Sequence, residues 1–258
     1  AGQLVSLTIY AVLLLQPRLK HEYAFLAQCR LHTPLLLRYL RFGLPNGLRS
    51  LIDILAFTIF VMLVGRIGRD TLAATTLVFN VNTLSFLPMI GLGTAIMTLV
   101  GRRVGEGRAE LAVRTTWLAF KLSAIYMICF AILYLFLPNL LMSPYAAYSD
   151  PNTFAQIREL VVILLRFAAV FAFFDAMLIV FSSAVQGAGD TRFCLLFTLV
   201  VSLLVLVIPT WLALQYADQK MIACWSACTA FIVVMGIGFL LRFRTGHWKS
   251  MRVIEPTE

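Results

Sequence analysis

Six long apolar segments, separated by short polar stretches, set the pattern of this chain. They cover about residues 42–64, 71–100, 109–137, 158–185, 193–217 and 221–242. A helix of roughly 20 apolar residues spans the hydrocarbon core of a bilayer, so each segment predicts a transmembrane helix. Several segments are longer than that, which predicts tilt or protrusion. Pro88 in the second and Pro209 in the fifth mark expected kinks, since proline removes a backbone donor and crowds the preceding turn. Residues 1–15 are apolar and predict the tail of another helix, so the chain reads as a piece of a longer protein. Residues 16–41 form a basic connector rich in Leu and aromatics, predicted to lie along the membrane surface. Residues 243–258 follow the last span as a tail. The predicted fold class is all-α integral membrane: a six-helix transmembrane lobe over 42–242, preceded by the end of another helix.

Composition supports this reading. The 258 residues are 61% hydrophobic and only 13% charged. A soluble domain carries about 25% charged residues and under half apolar. The net charge of +9 would suggest nucleic acid in a soluble protein. Here the basic residues sit between apolar spans, so no nucleic-acid partner is expected and membrane orientation explains them. On one side fall Arg18, Lys20, Arg30, Arg38, Arg41, Arg102, Arg103, Arg108, Arg114, Arg192, Arg242, Arg244, Lys249 and Arg252. The other side holds only Arg66, Arg69, Arg158 and Lys220. By the positive-inside rule the richer side is cytoplasmic, which places both ends of the lobe there. Tyr134, Tyr145, Tyr148, Tyr216 and Trp248 are expected in the interfacial aromatic belts. The cysteines, Cys29, Cys129, Cys194, Cys224 and Cys228, lack a metal-type spacing and read as small packing residues.

Charges inside spans are costly and mark function by default. Asp53 and Asp175 carry the strongest signal. With alternating helix directions, both lie roughly 15–17 Å above the cytoplasmic face at 1.5 Å per residue. Two carboxylates at one level near the midplane suit a proton or a monovalent cation, because desolvation and a like-charged neighbour both favour the protonated form. The structural alternative is an intrahelical pair, with Arg49 four residues before Asp53. Asp175 has no basic partner on its own helix face. Lys121 and Arg166 also lie in spans and are expected to snorkel or to pair with a neighbouring helix. Thr76, Asn80 and Thr83 share a helical face that suits either a water-filled cavity or interhelical hydrogen bonding. No catalytic or metal site is read from the sequence.

The runs RFGLPNGLRSLIDILAF, VGRIGRDTLAA, GLGTAIMTLVGRRVGEGRAELA and FDAMLIVFSSAVQGAGDTR, in that order, carry a family likeness. The chain resembles the second half of multidrug and toxic compound extrusion (MATE) transporters over about residues 38–242. The resemblance implies half of a twelve-helix, two-lobe transporter in a bacterial inner membrane, with an N-terminal six-helix lobe as partner. It implies no enzyme and no cofactor, but a sodium ion or proton entering as a cationic amphiphilic compound leaves. Asp53 falls eight residues after Pro45, where sodium-coupled members have a Glu, and Asp175 matches the Asp of the fourth helix. Asp replaces Glu, and Phe171 stands where some members place a cation-contacting Tyr, so the coupling ion stays open. Arg49, Thr76, Asn80, Thr83 and Phe171 are candidate cavity-lining residues. Pro45, Pro88, Gly91, Gly93 and Pro209 are candidate hinges for alternating access.

Two rivals bear on the same residues. Gly187-Ala188-Gly189-Asp190 matches a GxGD protease motif, but Asp190 and Asp175 share one stretch and stand roughly 22 Å apart along a helix. A lipid-linked oligosaccharide flippase of the same superfamily would use Arg49, Lys121 and Arg166 to meet a pyrophosphate.

Overall fold

A computed structural model describes Val5, Thr8, Ile9 and residues 33–148 and 151–251. The chain divides into two units, Ala1–Gly43 and Leu44–Glu258. In the first, Val5, Thr8 and Ile9 are helical, and so is the chain from Thr33 onward. The predicted connector over 16–41 falls largely outside the described residues. Residues 16–32 lie outside the described residues, while 33–41 are the start of a helix, α1 (Thr33–Gly65).

The second unit continues α1 and adds α2 (Arg69–Gly105), α3 (Ala109–Phe136), α4 (Pro138–Tyr148) and α5 (Pro151–Gly187). It closes with α6 (Thr191–Val201), a π-helical segment Ser202–Val207, α7 (Ile208–Tyr216), α8 (Lys220–Arg244) and a 3₁₀ turn His247–Ser250. All the described secondary structure is helical. Six stretches are long and apolar enough to cross a membrane: Gly43–Gly65, Arg69–Gly105, Ala109–Phe136, Phe154–Gly187, Thr191–Tyr216 and Lys220–Arg244. The sequence places all six correctly and misses α4, an eleven-residue helix before α5. Pro138 and Pro151 open α4 and α5, where their missing N–H groups cost nothing.

The helix α5 is the hub, packing against α2, α3 and α8. Its inner face carries small residues at fourth-position spacing, interrupted once by Val180, with Ala168, Ala172, Ala176 and Ala184 all fully buried. Lipid tails are as apolar as Leu, so helices in a membrane gain by close backbone approach rather than by burying oil. Glycines complete the approach. A Cβ on Gly187 would collide with the Met97 carbonyl, and one on Gly101 would stand 2.9 Å from the Gly187 carbonyl. One on Gly236 would meet the Phe174 carbonyl at 2.7 Å. Aromatic rings fill the wider gaps: Phe57 and Phe60 of α1 meet Phe79 of α2 and Phe231 and Trp225 of α8.

Two aromatics assigned to interfacial belts are core residues instead. Tyr134 is 1% exposed, with its hydroxyl inside the lobe. Trp248 is fully buried, stacked on Phe243 at 4.9 Å and donating from Nε1 to the Phe243 carbonyl at 2.8 Å. The tail is thus packed on the lobe through residue 251, aided by Lys249 Nζ on Glu110 Oε1 at 3.0 Å. Tyr216, 81% exposed, fits its belt assignment. The α2–α3 turn closes with Gly107 at φ 73, a left-handed conformation that favours glycine. There Glu106 accepts from Arg102 Nε at 2.8 Å and Arg103 Nη1 at 3.1 Å. The Arg102 hydrogen bond, helped by Arg103, holds the Glu106 carboxyl below its usual range.

Candidate functional site

Asp175 sits on the buried side of α5, 5% exposed, between Ala172 and Ala176. Those alanines pack with Met89 of α2 and Met127 of α3. No hydrogen bond or ion pair reaches the Asp175 carboxylate among the described residues. Tyr134 anchors a small polar cluster between α2 and α3. Its Oη lies 2.8 Å from Ser85 Oγ and donates to Asn82 Oδ1 at 3.2 Å. Ser85 Oγ also donates to the Asn82 carbonyl at 2.8 Å. The sequence singled out Asp175 but not Asn82, Ser85 or Tyr134. Asn82 and Ser85 lie one turn apart on α2, but nothing in the sequence says which face of α3 meets them.

Asp53 belongs to a different neighbourhood. Arg49 Nε lies 3.8 Å from Asp53 Oδ2, one turn earlier on α1. Arg49 Nη1 donates to Gln186 Oε1 of α5 at 2.9 Å, and the guanidinium stands 5.1 Å over the Phe239 ring of α8. The Arg49 side chain is 11% exposed and that of Asp53 37%. The intrahelical pair thus exists, at contact rather than hydrogen-bond distance. No hydrogen bond or ion pair joins Asp53 to Asp175 among the described residues. Depth along two helices leaves open the angle at which each side chain leaves its axis, and the partners of Asp53 on α1, α5 and α8 are not those that pack around Asp175.

The other candidates divide by face. Thr76, Asn80 and Thr83 share one exposed face of α2, as their spacing predicted. Thr76 and Thr83 hydroxyls donate to the Leu72 and Phe79 carbonyls of their own helix, at 2.9 and 2.8 Å. Phe171, one turn before Asp175, is 2% exposed within the hydrophobic core, so it lines no open cavity here. Lys121 and Arg166 point away from the lobe interior.

Pro45 and Pro88 lie inside continuous helices α1 and α2. Gly91 is open on its outer side, whereas a Cβ on Gly93 would stand 2.9 Å from Ser183 Oγ. Gly93 is therefore a close-packing position between α2 and α5. Pro209 follows the π-helical segment, where the Ile208 N–H reaches the Leu203 carbonyl. The next carbonyl, that of Leu204, would need its donor from residue 209, a proline without one. The predicted disturbance of the fifth span is thus a widened turn, a form frequent at functional sites.

Asp190 is excluded as half of a protease dyad by its own partner. Arg242 donates from Nε to Asp190 Oδ2 at 2.8 Å, and its Nη2 stands 2.7 Å from the same oxygen. The pair ties the α5–α6 turn to the end of α8, with Arg242 4.6 Å over the Phe193 ring. Cys194, Cys224 and Cys228 are buried, as packing residues should be. Cys29 lies outside the described residues. Among the described residues no three His, Cys, Asp or Glu side chains gather in one place.

Known proteins carry the same architecture. Residues 45–212 match the MatE family model, well over half of the chain. The chain is 28% identical over 199 residues to a probable multidrug resistance protein NorM of Brucella suis biovar 1, covering 77% of this chain and 42% of that protein. It is 25% identical over 215 residues to the Thermotoga maritima protein of the same name, covering 83% and 45%. Among solved structures, it superposes on an outward-facing multidrug resistance MATE family transporter of the MOP superfamily with a TM-score of 0.75. The identity there is 21%, over 86% of this chain and 49% of that one. A MOP superfamily transporter from Pyrococcus furiosus, described as having reversed binding-pocket polarity and a different function, gives 0.74 at 22% identity, over 86% and 49%. The chain spans about half the length of these relatives. With six apolar spans in this order and a family match running from Pro45 in α1 to Leu212 in α7, the chain belongs to the MatE family of membrane transporters.

Proposed function

We propose that this chain is the cation-coupling lobe of an antiporter that exports cationic amphiphilic compounds by alternating access, with a sodium ion or proton entering in exchange. The observation that carries the reading is Asp175: a carboxylate buried within the lobe with no protein partner among the described residues. An isolated buried carboxylate is expensive, and inside a membrane it marks an ion or substrate pathway by default. A proton or a monovalent cation relieves that cost. The Asn82, Ser85 and Tyr134 oxygens nearby offer neutral polar groups of the kind such an ion prefers. The names of the relatives, multidrug resistance proteins, support the substrate class.

A second lobe, N-terminal and on the same full-length protein, completes the transport path, which fits relatives about twice as long. The exposed polar face of Thr76, Asn80 and Thr83 would then line the cavity between lobes. Both ends of this lobe are cytoplasmic, on the strength of the basic residues gathered at one end. The flippase reading is weaker. It needs basic side chains in the cavity, but Arg49 is already engaged by Asp53 and Gln186.

The test is ethidium efflux from everted vesicles holding the full-length protein, with sodium and proton gradients imposed separately. Transport under one gradient, lost in Asp175→Asn while the protein still inserts, is the expected result. Equal transport in Asp175→Asn would remove the assignment.

A further inference from the structure

Asp53 is the more exposed of the two intramembrane carboxylates, and the protein holds a cation of its own against it. The Arg49 guanidinium is anchored from three directions: Asp53 at 3.8 Å, Gln186 Oε1 at 2.9 Å, and the Phe239 ring at 5.1 Å. Of these only the Gln186 contact is a hydrogen bond. The Arg49–Asp53 contact is too long for a hydrogen bond, and Arg49 Nε is buried without a hydrogen-bond partner among the described residues. A guanidinium presents five donors, so a buried one with an idle Nε beside a carboxylate has an unused pairing geometry within reach.

We infer that Arg49 is a tethered competitor for the Asp53 carboxylate, and that its position sets how strongly Asp53 takes a transported cation. The inference rests on the antiport reading and adds to Asp175 a second carboxylate that the driving ion visits, Asp53, with Arg49 setting its affinity. With Asp53 empty, Arg49 leans onto it from one turn away. When a sodium ion or proton occupies Asp53, Arg49 falls back on Gln186 and Phe239, which already hold it. The exchange needs only a side-chain shift, because both sets of partners touch the guanidinium at once.

The charged groups around Arg49 limit where it can go. A second carboxylate, Asp190, joins the same cluster through Arg242, which stands over Phe193 as Arg49 stands over Phe239. Asp190 is no alternative partner, since Arg242 saturates it with contacts of 2.8 and 2.7 Å. The Phe193 and Phe239 rings, 6.2 Å apart and edge to face, stand between the two arginines. From α5 the facing polar group is the neutral Gln186. Arg49 is therefore confined to a choice between a charged acceptor and a neutral one.

A competitor and a structural pin make opposite predictions. Arg49→Gln removes the competing charge. It should lower the half-saturating concentration of the driving ion by about tenfold in reconstituted full-length protein. Gln186→Leu keeps the charge but removes its resting place, so Arg49 stays on Asp53. It should raise the half-saturating concentration several-fold. Both are read from initial ethidium transport rates against sodium at fixed pH, and against pH at fixed sodium. A merely structural role would lower the maximal rate or the protein yield in both variants without moving half-saturation in opposite directions, and that result overturns the inference. If Arg49→Gln fails to insert, Gln186→Leu decides alone: an unchanged or lowered half-saturation rejects the proposal. Wild-type protein without transport under either gradient would reject the antiport reading itself. Intact transport and unchanged half-saturation in Asp53→Asn would reject only the role given to Arg49.

Discussion

Single residues differ in how their charge is met, and their partners decide which buried carboxylates are neutralised within the lobe. Asp190 and Asp175 are both about 5% exposed, yet one is met by Arg242 and the other has no partner among the described residues. Removing one partner of a buried pair leaves an uncompensated charge and costs about 3–5 kcal/mol, whereas replacing both with apolar residues is often neutral. Arg242→Met should therefore lower the thermal midpoint of the detergent-solubilised protein by several degrees. The double substitution with Asp190→Leu should recover most of the loss. Tyr134→Phe tests the polar cluster. It leaves Ser85, wholly buried, short of one partner at a cost of about 1–3 kcal/mol, read in the same melt. The sequence made Asp175 and Asp53 legible because charge at that depth is rare. It could not show that Tyr134 turns inward, since an aromatic near the end of a span serves a belt and a core equally well until its helix is rotated into place.

At the scale of elements, helix contacts are set by what is missing from the side chains. The α2–α5 and α5–α8 approaches depend on Gly187, Gly101 and Gly236. Gly187→Val puts atoms into the Met97 backbone and should abolish stable insertion, measured as the yield of monodisperse protein from membranes. Gly91→Ala on the same α2 helix meets nothing within 4 Å and should be tolerated, gaining about 0.5–1 kcal/mol of helix propensity. Hydrophobic length alone revealed all six spans, because a bilayer demands it. Helices α1 and α5 extend further toward the N-terminus than the apolar segments predicted, to Thr33 and Pro151 among the described residues. The π-helical segment was foreshadowed only by Pro209. A proline announces a lost hydrogen bond, but not whether the helix bends or widens to absorb it.

For the whole molecule, one end of the lobe gathers the basic loops, and the ion pairs there cross between elements far apart in sequence. Lys249 on Glu110 and Arg242 on Asp190 fasten the C-terminal segment to the same end as the α2–α3 turn. If that end is cytoplasmic, a membrane-impermeant thiol reagent applied to intact cells should label Asp218→Cys and spare Gly246→Cys in a cysteine-free background. The reverse pattern would invert the topology. The proposed exchange of compound for cation belongs to the full two-lobe protein, and the most direct test of it is a binding competition. Ethidium bound to the purified full-length protein is titrated with sodium and, separately, with acid, in wild type and Asp175→Asn. The account predicts that one of the two releases ethidium from wild type, and that Asp175→Asn removes this release. Release from Asp175→Asn at the same ion concentration as from wild type would contradict it, for the ion would then act elsewhere in the protein.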